Sequence, residues 1–272
     1  MNVIYCFSGT GNSLAAAEML AGNLGDTVIR PMTRELEKGT PVIEAETTGL
    51  VFPVYFLGVP AIVREFIEKA EWKSPGYLYI TATKGWPVVG APAAHVRRLL
   101  RNKNITLNAS FHIRMVENDV LLAGIPEKSK WKKRLESVPG KMRRVSDKIK
   151  KRSGYRHPEP TALLLNSRYK VYMNYCRKTP DLFTVNTGKC TGCALCAKIC
   201  ALSNISVKNN KPVYGGNCQL CEACYNVCPE KAISFGRPKL EKEQYRHPGV
   251  SLKSLASQKI NIKDTAVVLN SK

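Results

Sequence analysis

Several things are scarce in this chain, and each scarcity narrows what it can be. Across 272 residues no apolar run reaches the ~18–20 residues that cross a bilayer, so no membrane span is expected. The opening residues, Met1-Asn2-Val3-Ile4-Tyr5, carry no basic stretch and no cleavage pattern; they read as a strand, not a signal peptide, which points to the cytoplasm. Acidic residues are outnumbered two to one, 21 Asp and Glu against 42 Lys and Arg, for a formal net charge of +21. There are only 4 histidines, and His95, His112, His157 and His247 suggest no cluster or triad, only structural or surface roles. No carboxylate pair or Cys/His constellation marks a catalytic group, and none is assigned. The GxxxxGK[ST] phosphate loop is missing, as is the third glycine of GxGxxG, and no nucleic-acid-binding signature accompanies the basic residues.

Cysteine is the exception. There are 10, and eight lie in two copies of one spacing. The first is Cys190-x2-Cys193-x2-Cys196-x3-Cys200; the second is Cys218-x2-Cys221-x2-Cys224-x3-Cys228, followed by Pro229. Zinc is usually held by paired CxxC or Cys/His sets, not by triplets followed by an x3 step. A disulfide framework needs an oxidising compartment, for which nothing here argues. The spacing is that of 4Fe–4S runs, in which the fourth cysteine ligates the other cluster. The expected ligand sets are therefore Cys190, Cys193, Cys196 and Cys228 for one cluster, and Cys218, Cys221, Cys224 and Cys200 for the other. A two-residue gap lets one loop place three thiolates on one cubane, and the fourth ligand stitches the halves together. Thiols committed to iron imply a reducing setting. Cys6 and Cys176 lie outside the runs and read as packing residues.

The positive charge is uneven. Residues 1–126 carry 12 basic and 11 acidic side chains, residues 127–178 carry 17 and 4, and residues 179–272 carry 13 and 6. Two oxidised clusters, each with four thiolates, lower the whole to about +17. The redox partner expected from this balance is an acidic protein. A solvated basic face is favoured over a nucleic-acid site for the middle segment.

Ahead of the cysteines the chain alternates strands and helices. Asn2–Phe7 is a buried strand, Ser8-Gly9-Thr10-Gly11-Asn12-Ser13 a loop, and Leu14–Leu24 a helix. That layout suits a phosphate at a helix N-terminus, held by hydroxyls and backbone N–H groups because the loop has no Lys or Arg. Further strands fall at Thr27–Arg30, Gly49–Val54, Tyr77–Ala82 and within Leu107–Val116, and helices at Ala61–Ala70, opened by Pro60, and Ala91–Asn102. The alternation gives an α/β, doubly wound parallel sheet, which binds ligands beyond the carboxyl ends of its strands. That edge carries the Ser8–Ser13, Pro53–Gly58 and Thr81–Trp86 loops. Glu127–Arg152 reads as a basic amphipathic helix that the Pro139-Gly140 pair breaks or kinks.

The Ser8, Thr10, Gly11 and Ser13 pattern resembles the loop with which flavodoxins hold the phosphate of FMN. The resemblance implies sheet order 2-1-3-4-5 over residues 1–152. It also implies FMN-binding positions at Ser8, Gly9, Thr10, Gly11, Asn12, Ser13, Pro53, Val54, Tyr55, Phe56, Thr81, Thr83, Gly85 and Trp86, with Tyr55, Phe56 and Trp86 as ring-stacking candidates. Residues 183–236 resemble the two-cluster bacterial ferredoxins, an α+β domain, except that Ala201 follows Cys200 where proline is usual. Residues 153–182 then form a linker with a bridging helix, and residues 237–272 a tail. The whole resembles a family of fused flavodoxin–ferredoxin proteins of anaerobic bacteria and archaea. That resemblance implies electron transfer between FMN and two 4Fe–4S clusters and on to an external partner. Two alternatives remain open: a flavin-dependent reductase of a small molecule fed by the clusters, and a nucleic-acid or membrane-surface protein whose clusters are structural.

Overall fold

Five short runs rich in β-branched and aromatic residues lie side by side and parallel: Asn2–Cys6 (β1), Thr27–Pro31 (β2), Thr47–Pro53 (β4), Tyr77–Lys84 (β6) and Ala109–Arg114 (β7). The computed structural model describes residues 1–87, 90–121, 124–177, 182–235 and 243–261. The strand order is β2-β1-β4-β6-β7. Counted among these five strands alone it is 2-1-3-4-5, the flavodoxin-like order, with the switch point between β1 and β4. The amino-terminal half is therefore the expected doubly wound sheet.

Side chains alternate between the two sheet faces, as the strand period of two requires. Val3, Tyr5, Phe7, Leu50, Phe52, Leu78 and Ile80 face one layer. That layer is built by Met32–Glu37 (α2), Ala61–Lys69 (α3) and Pro92–Arg101 (α4), which contribute Met32, Phe66, Ile67, Val96 and Leu100. Ile4, Cys6, Val51, Tyr79, Phe111 and Ile113 face the other, where Asn12–Leu24 (α1) and Val138–Lys150 (α6) bring Leu14, Leu20, Met142, Val145 and Ile149. Cys6 is a packing residue, as expected; burial pushes its thiol far above the ordinary range. At Gly49 the sheet admits no side chain: a Cβ there would lie 2.5 Å from the Tyr79 phenol. A small parallel pair, Val42–Glu44 (β3) with Glu71–Ser74 (β5), stands beside the main sheet.

The basic segment differs from expectation in one respect. It forms two helices, Lys128–Glu136 (α5) and α6, and the break falls at Ser137, before Pro139. Pro139 sits within the first turn of α6, where a missing N–H costs nothing, so it starts a helix and does not kink one.

The bridging segment is the helix Leu165–Arg177 (α7), preceded by a 3-10 turn at Ala162–Leu164. Its Tyr169, Tyr172 and Cys176 are buried. The cysteine-rich half is small and α+β. Phe183–Val185 (β8) pairs antiparallel with Ile233–Phe235 (β11), and Ile205–Lys208 (β9) with Lys211–Tyr214 (β10). Each cysteine run carries one short helix, Leu195–Ile199 (α8) and Ala223–Val227 (α9). Of the tail, residues 243–261 pack as a strap containing Leu252–Ala256 (α10), which Ser251 caps. Residues 178–181, 236–242 and 262–272 lie outside the described residues, and with them the expected end of the cysteine domain at residue 236 and both expected limits of the tail. No helix among the described residues is long and apolar enough to cross a membrane.

Phe66 is fully buried and lies 4.9 Å, ring to ring, from Tyr5. Phe66→Ala should cost about 3–5 kcal/mol, the usual penalty for emptying such a site. Anaerobic urea unfolding followed by the fluorescence of Trp72, which packs against the same core, should show the lowered midpoint.

Candidate functional site

The two cysteine runs fold alike. In each, the residue after the second cysteine, Ala194 or Glu222, takes a left-handed conformation (φ 60° and 56°) and starts the short helix. Each helix then delivers the fourth cysteine, Cys200 or Cys228, in an extended conformation that turns it away from its own run. As a result Cys190, Cys193, Cys196 and Cys228 line one cavity, together with Pro212 and Ile233. Cys218, Cys221, Cys224 and Cys200 line another, together with Phe7, Phe183, Ile205 and Tyr214. Each cavity thus gathers three cysteines of one run and the fourth of the other.

Each cage offers four sulfur donors. Backbone N–H groups of Asn204, Leu220 and Ala232 donate to the sulfurs of Cys200, Cys218 and Cys228 at 3.2, 3.3 and 3.3 Å. Burial, with repulsion from neighbouring thiolates, pushes Cys218 and Cys224 well above the ordinary thiol range and Cys221 up to about 12. Deprotonating four thiols in so apolar a space requires a positive centre between them. Among the described residues no three His, Cys, Asp or Glu side chains converge as a single metal ion requires; the thiols surround cavities instead. The cages differ in exposure. Cys193 of the first is exposed, whereas Cys224 of the second is buried. The Lys211 ammonium donates to the carbonyls of Thr187 and Cys190 at 2.8 and 2.7 Å and so places a cation beside the outer cage.

The three sheet-edge loops expected to hold FMN do come together. Ser13 and Thr83 share a hydrogen bond of 2.7 Å, and the Val54 N–H donates to the Thr83 carbonyl at 2.9 Å. Pro53 ends β4, and Thr81 is wholly buried within β6. What covers the edge is the chain itself. A Cβ on Gly9 would sit 2.6 Å from the Cys221 carbonyl oxygen, and one on Gly11 3.0 Å from the His247 side chain. The Ser8 N–H is taken by Gln258, the Gly11 N–H by the Ser8 hydroxyl, the Thr10 hydroxyl by Asn118, and the Asn12 amide by Val116 and Tyr245. Tyr55 and Phe56 pack on the Tyr172 ring at 5.9 and 5.6 Å; Trp86 is exposed, and Gly85 lies under Glu117. In this arrangement the edge has no room for a flavin phosphate, and FMN does not fit it as it stands.

Sequence reasoning missed three features. Glu222, beside Cys221, is buried and accepts the Val120 N–H at 2.7 Å; burial, with Asp119 nearby, holds its carboxyl well above the carboxylate range. The strap supplies Tyr245, His247 and Gln258 to the loop. Finally, the histidines do cluster in part. A parallel bridge between Ser110 and Arg156 lays residues 155–159 along β7, so His112 and His157 stack at 4.1 Å and His112 Nε2 lies 3.2 Å from Glu159. Glu159 also accepts the N–H groups of Ala93 and Ala94 at the start of α4, where a negative charge is favoured. His95 is buried, as a structural residue should be.

No family model matches the chain, and no curated protein matches it. Solved structures similar to it include the two-electron reduced flavodoxin of Megasphaera elsdenii, at 15% identity over 52% of this chain and 99% of that one, with a TM-score of 0.33. The azoreductase AzrA is similar at 12% identity over 55% and 98%, with a TM-score of 0.35. A putative flavoprotein from Bacteroides eggerthii is similar at 17% identity over 50% and 96%, with a TM-score of 0.32.

Burial, with positive charge from His112 and Lys84, holds His157 down to about 4, and burial holds His95 down to about 3. Both are neutral when folded and protonate near pH 6.5 when unfolded. The unfolded chain therefore binds more protons below that pH. Stability from these histidines should be complete above about pH 6.5 and fall as the pH drops towards 4. Anaerobic urea midpoints between pH 7 and 5 should show the fall, and His157→Gln should flatten it.

Proposed function

We propose that the chain is an electron-transfer protein whose carriers are two 4Fe–4S clusters, one in each cysteine cage. The observation that carries this reading is the sorting of eight cysteines into two four-thiol cavities with the fourth ligand exchanged. A bound cluster of this kind supplies one-electron chemistry. The chain's own residues do the rest. The cysteines fix position, backbone N–H groups donate to the sulfurs, and Phe7, Phe183 and Tyr214 keep water from the inner cage. Cys193 leaves the outer cage open, so an external partner has its nearest access there. The inner cage adjoins the carboxyl edge of the flavodoxin-like sheet, where FMN would be held by the Ser8–Ser13 loop in a form that uncovers it.

The partner that suits this chain is an acidic redox protein. In α5 and α6 Arg134, Lys141 and Arg144 crowd with Arg114; partial burial and their mutual repulsion lower Lys141 and Arg134. No residue of α5 is buried. Such a face steers association more than it adds affinity. Changing Lys132, Lys133, Arg143 and Arg144 together to Glu should slow electron exchange with an acidic partner at low salt while leaving the iron content unchanged. At about 1 M salt, where the Debye length is about 3 Å, the rates should converge.

The decisive experiment is anaerobic purification with an iron and sulfide count. About eight irons and eight acid-labile sulfides per chain are expected. Cys221→Ser should strip the inner cluster and destabilise the seam between the halves, whereas Cys193→Ser should leave the inner cluster's signal in place. Full zinc occupancy without iron after reconstitution would sink the proposal.

A further inference from the structure

The strap over residues 243–261 lies along the Ser8–Asn12 loop at the carboxyl edge of the sheet. At one end the Tyr245 hydroxyl donates to Asn12 Oδ1 at 2.7 Å. Between, the His247 N–H donates to the Thr10 carbonyl at 2.9 Å, and Val250 lies over Gly11. At the other end Gln258 grips Ser8 twice, accepting its N–H at 2.8 Å and donating to its carbonyl at 3.1 Å. Tyr245, Val250, Leu255 and Ile260 are all buried, so the strap is seated and does not merely lie on the surface. Its only helix among the described residues has five residues, too few to persist by itself. Its order therefore comes from the edge it covers. The cysteine-rich half holds it as well: the Gln244 amide donates to the carbonyls of Tyr225 and Cys228, Lys259 to that of Ala197, and the Ile260 N–H to that of Ala201.

We infer that residues 243–261 are an intramolecular latch that competes with FMN for the Ser8–Ser13 loop. The inference rests on the reading of that loop as a flavin-phosphate loop. Of the groups a phosphate would use, the strap occupies the Ser8 N–H and the open face of Gly11, while its Tyr245 fixes the Asn12 side chain whose Nδ2 donates to Val116. Latch and flavin cannot share the loop. A ligand that binds only the unlatched form has its affinity reduced by the fraction of chains in that form. Because both ends of the strap are tied beside the cysteine cages, the release of the flavin loop is mechanically joined to the cluster-binding half.

The test uses the full chain with its clusters, under anaerobic conditions. FMN is titrated by quenching of its fluorescence, with riboflavin, which lacks the phosphate, as the control. Two full-length variants open the latch by different means. Leu255→Asp places a carboxylate at a buried anchor. Tyr245→Phe with Gln258→Leu removes the bonds to Asn12 and Ser8 while keeping the apolar bulk. Iron is counted on every sample; if Leu255→Asp loses its iron, the double variant decides. The expected result is FMN binding at least about tenfold tighter in the variants than in the wild type, with no such gain for riboflavin. Equal FMN affinity in wild type and variants would overturn the latch and leave the flavin reading standing. Absence of FMN binding in every sample that keeps its iron would overturn both, making the strap a permanent seam.

Discussion

The close approach of Gly9 to Cys221 sets how the two halves of this chain sit together. The loop that follows the first strand meets the loop that carries the second cysteine run, with no space for a side chain between them. Everything nearby is arranged around that contact. Phe7, two residues earlier, reaches the wall of the inner cage. Glu222, next to Cys221, reaches back to the Val120 N–H. The cores on both sheet faces continue across the seam: Ala201, Leu202 and Ile260 join one, and Ile199, Ala223, Val250 and Leu255 join the other. A contact that excludes even a methyl group, backed by two continuous apolar cores, leaves the halves little freedom to slide.

Much of this was legible in the sequence, for reasons that differ by element. The parallel sheet was readable because its strands are buried on both faces and so appear as short apolar runs set between helices. The grouping of the cysteines around two cavities was readable because spacing limits which thiols one loop can bring together, and the x3 step carries the fourth one off. Tyr245, His247 and Gln258 were not readable as partners of Ser8, Thr10 and Asn12. Each pairing spans more than 230 residues, and hydrogen bonds of that separation leave no periodicity behind. The meeting of His112 and His157 was hidden for a related reason. It depends on a single bridge between Ser110 and Arg156, which no local pattern announces. The break at Ser137 was misplaced because proline tolerates a first helical turn as readily as it disrupts a later one.

The two runs share a backbone but not an environment, and the left-handed position is one of those at which they differ. The left-handed residue after the second cysteine is Ala194 in the outer run and Glu222 in the inner one. Alanine asks for nothing beyond the turn. A buried glutamate must find donors, and Glu222 finds one in the Val120 N–H of the segment that follows the last sheet strand. Burial, with Asp119 and Glu117 nearby, holds its carboxyl well above the ordinary carboxylate range. Glu222, together with Gln219, whose Oε1 accepts the Ile62 N–H at 2.7 Å, thus keys the inner run to the sheet domain, while the outer run leaves Cys193 exposed.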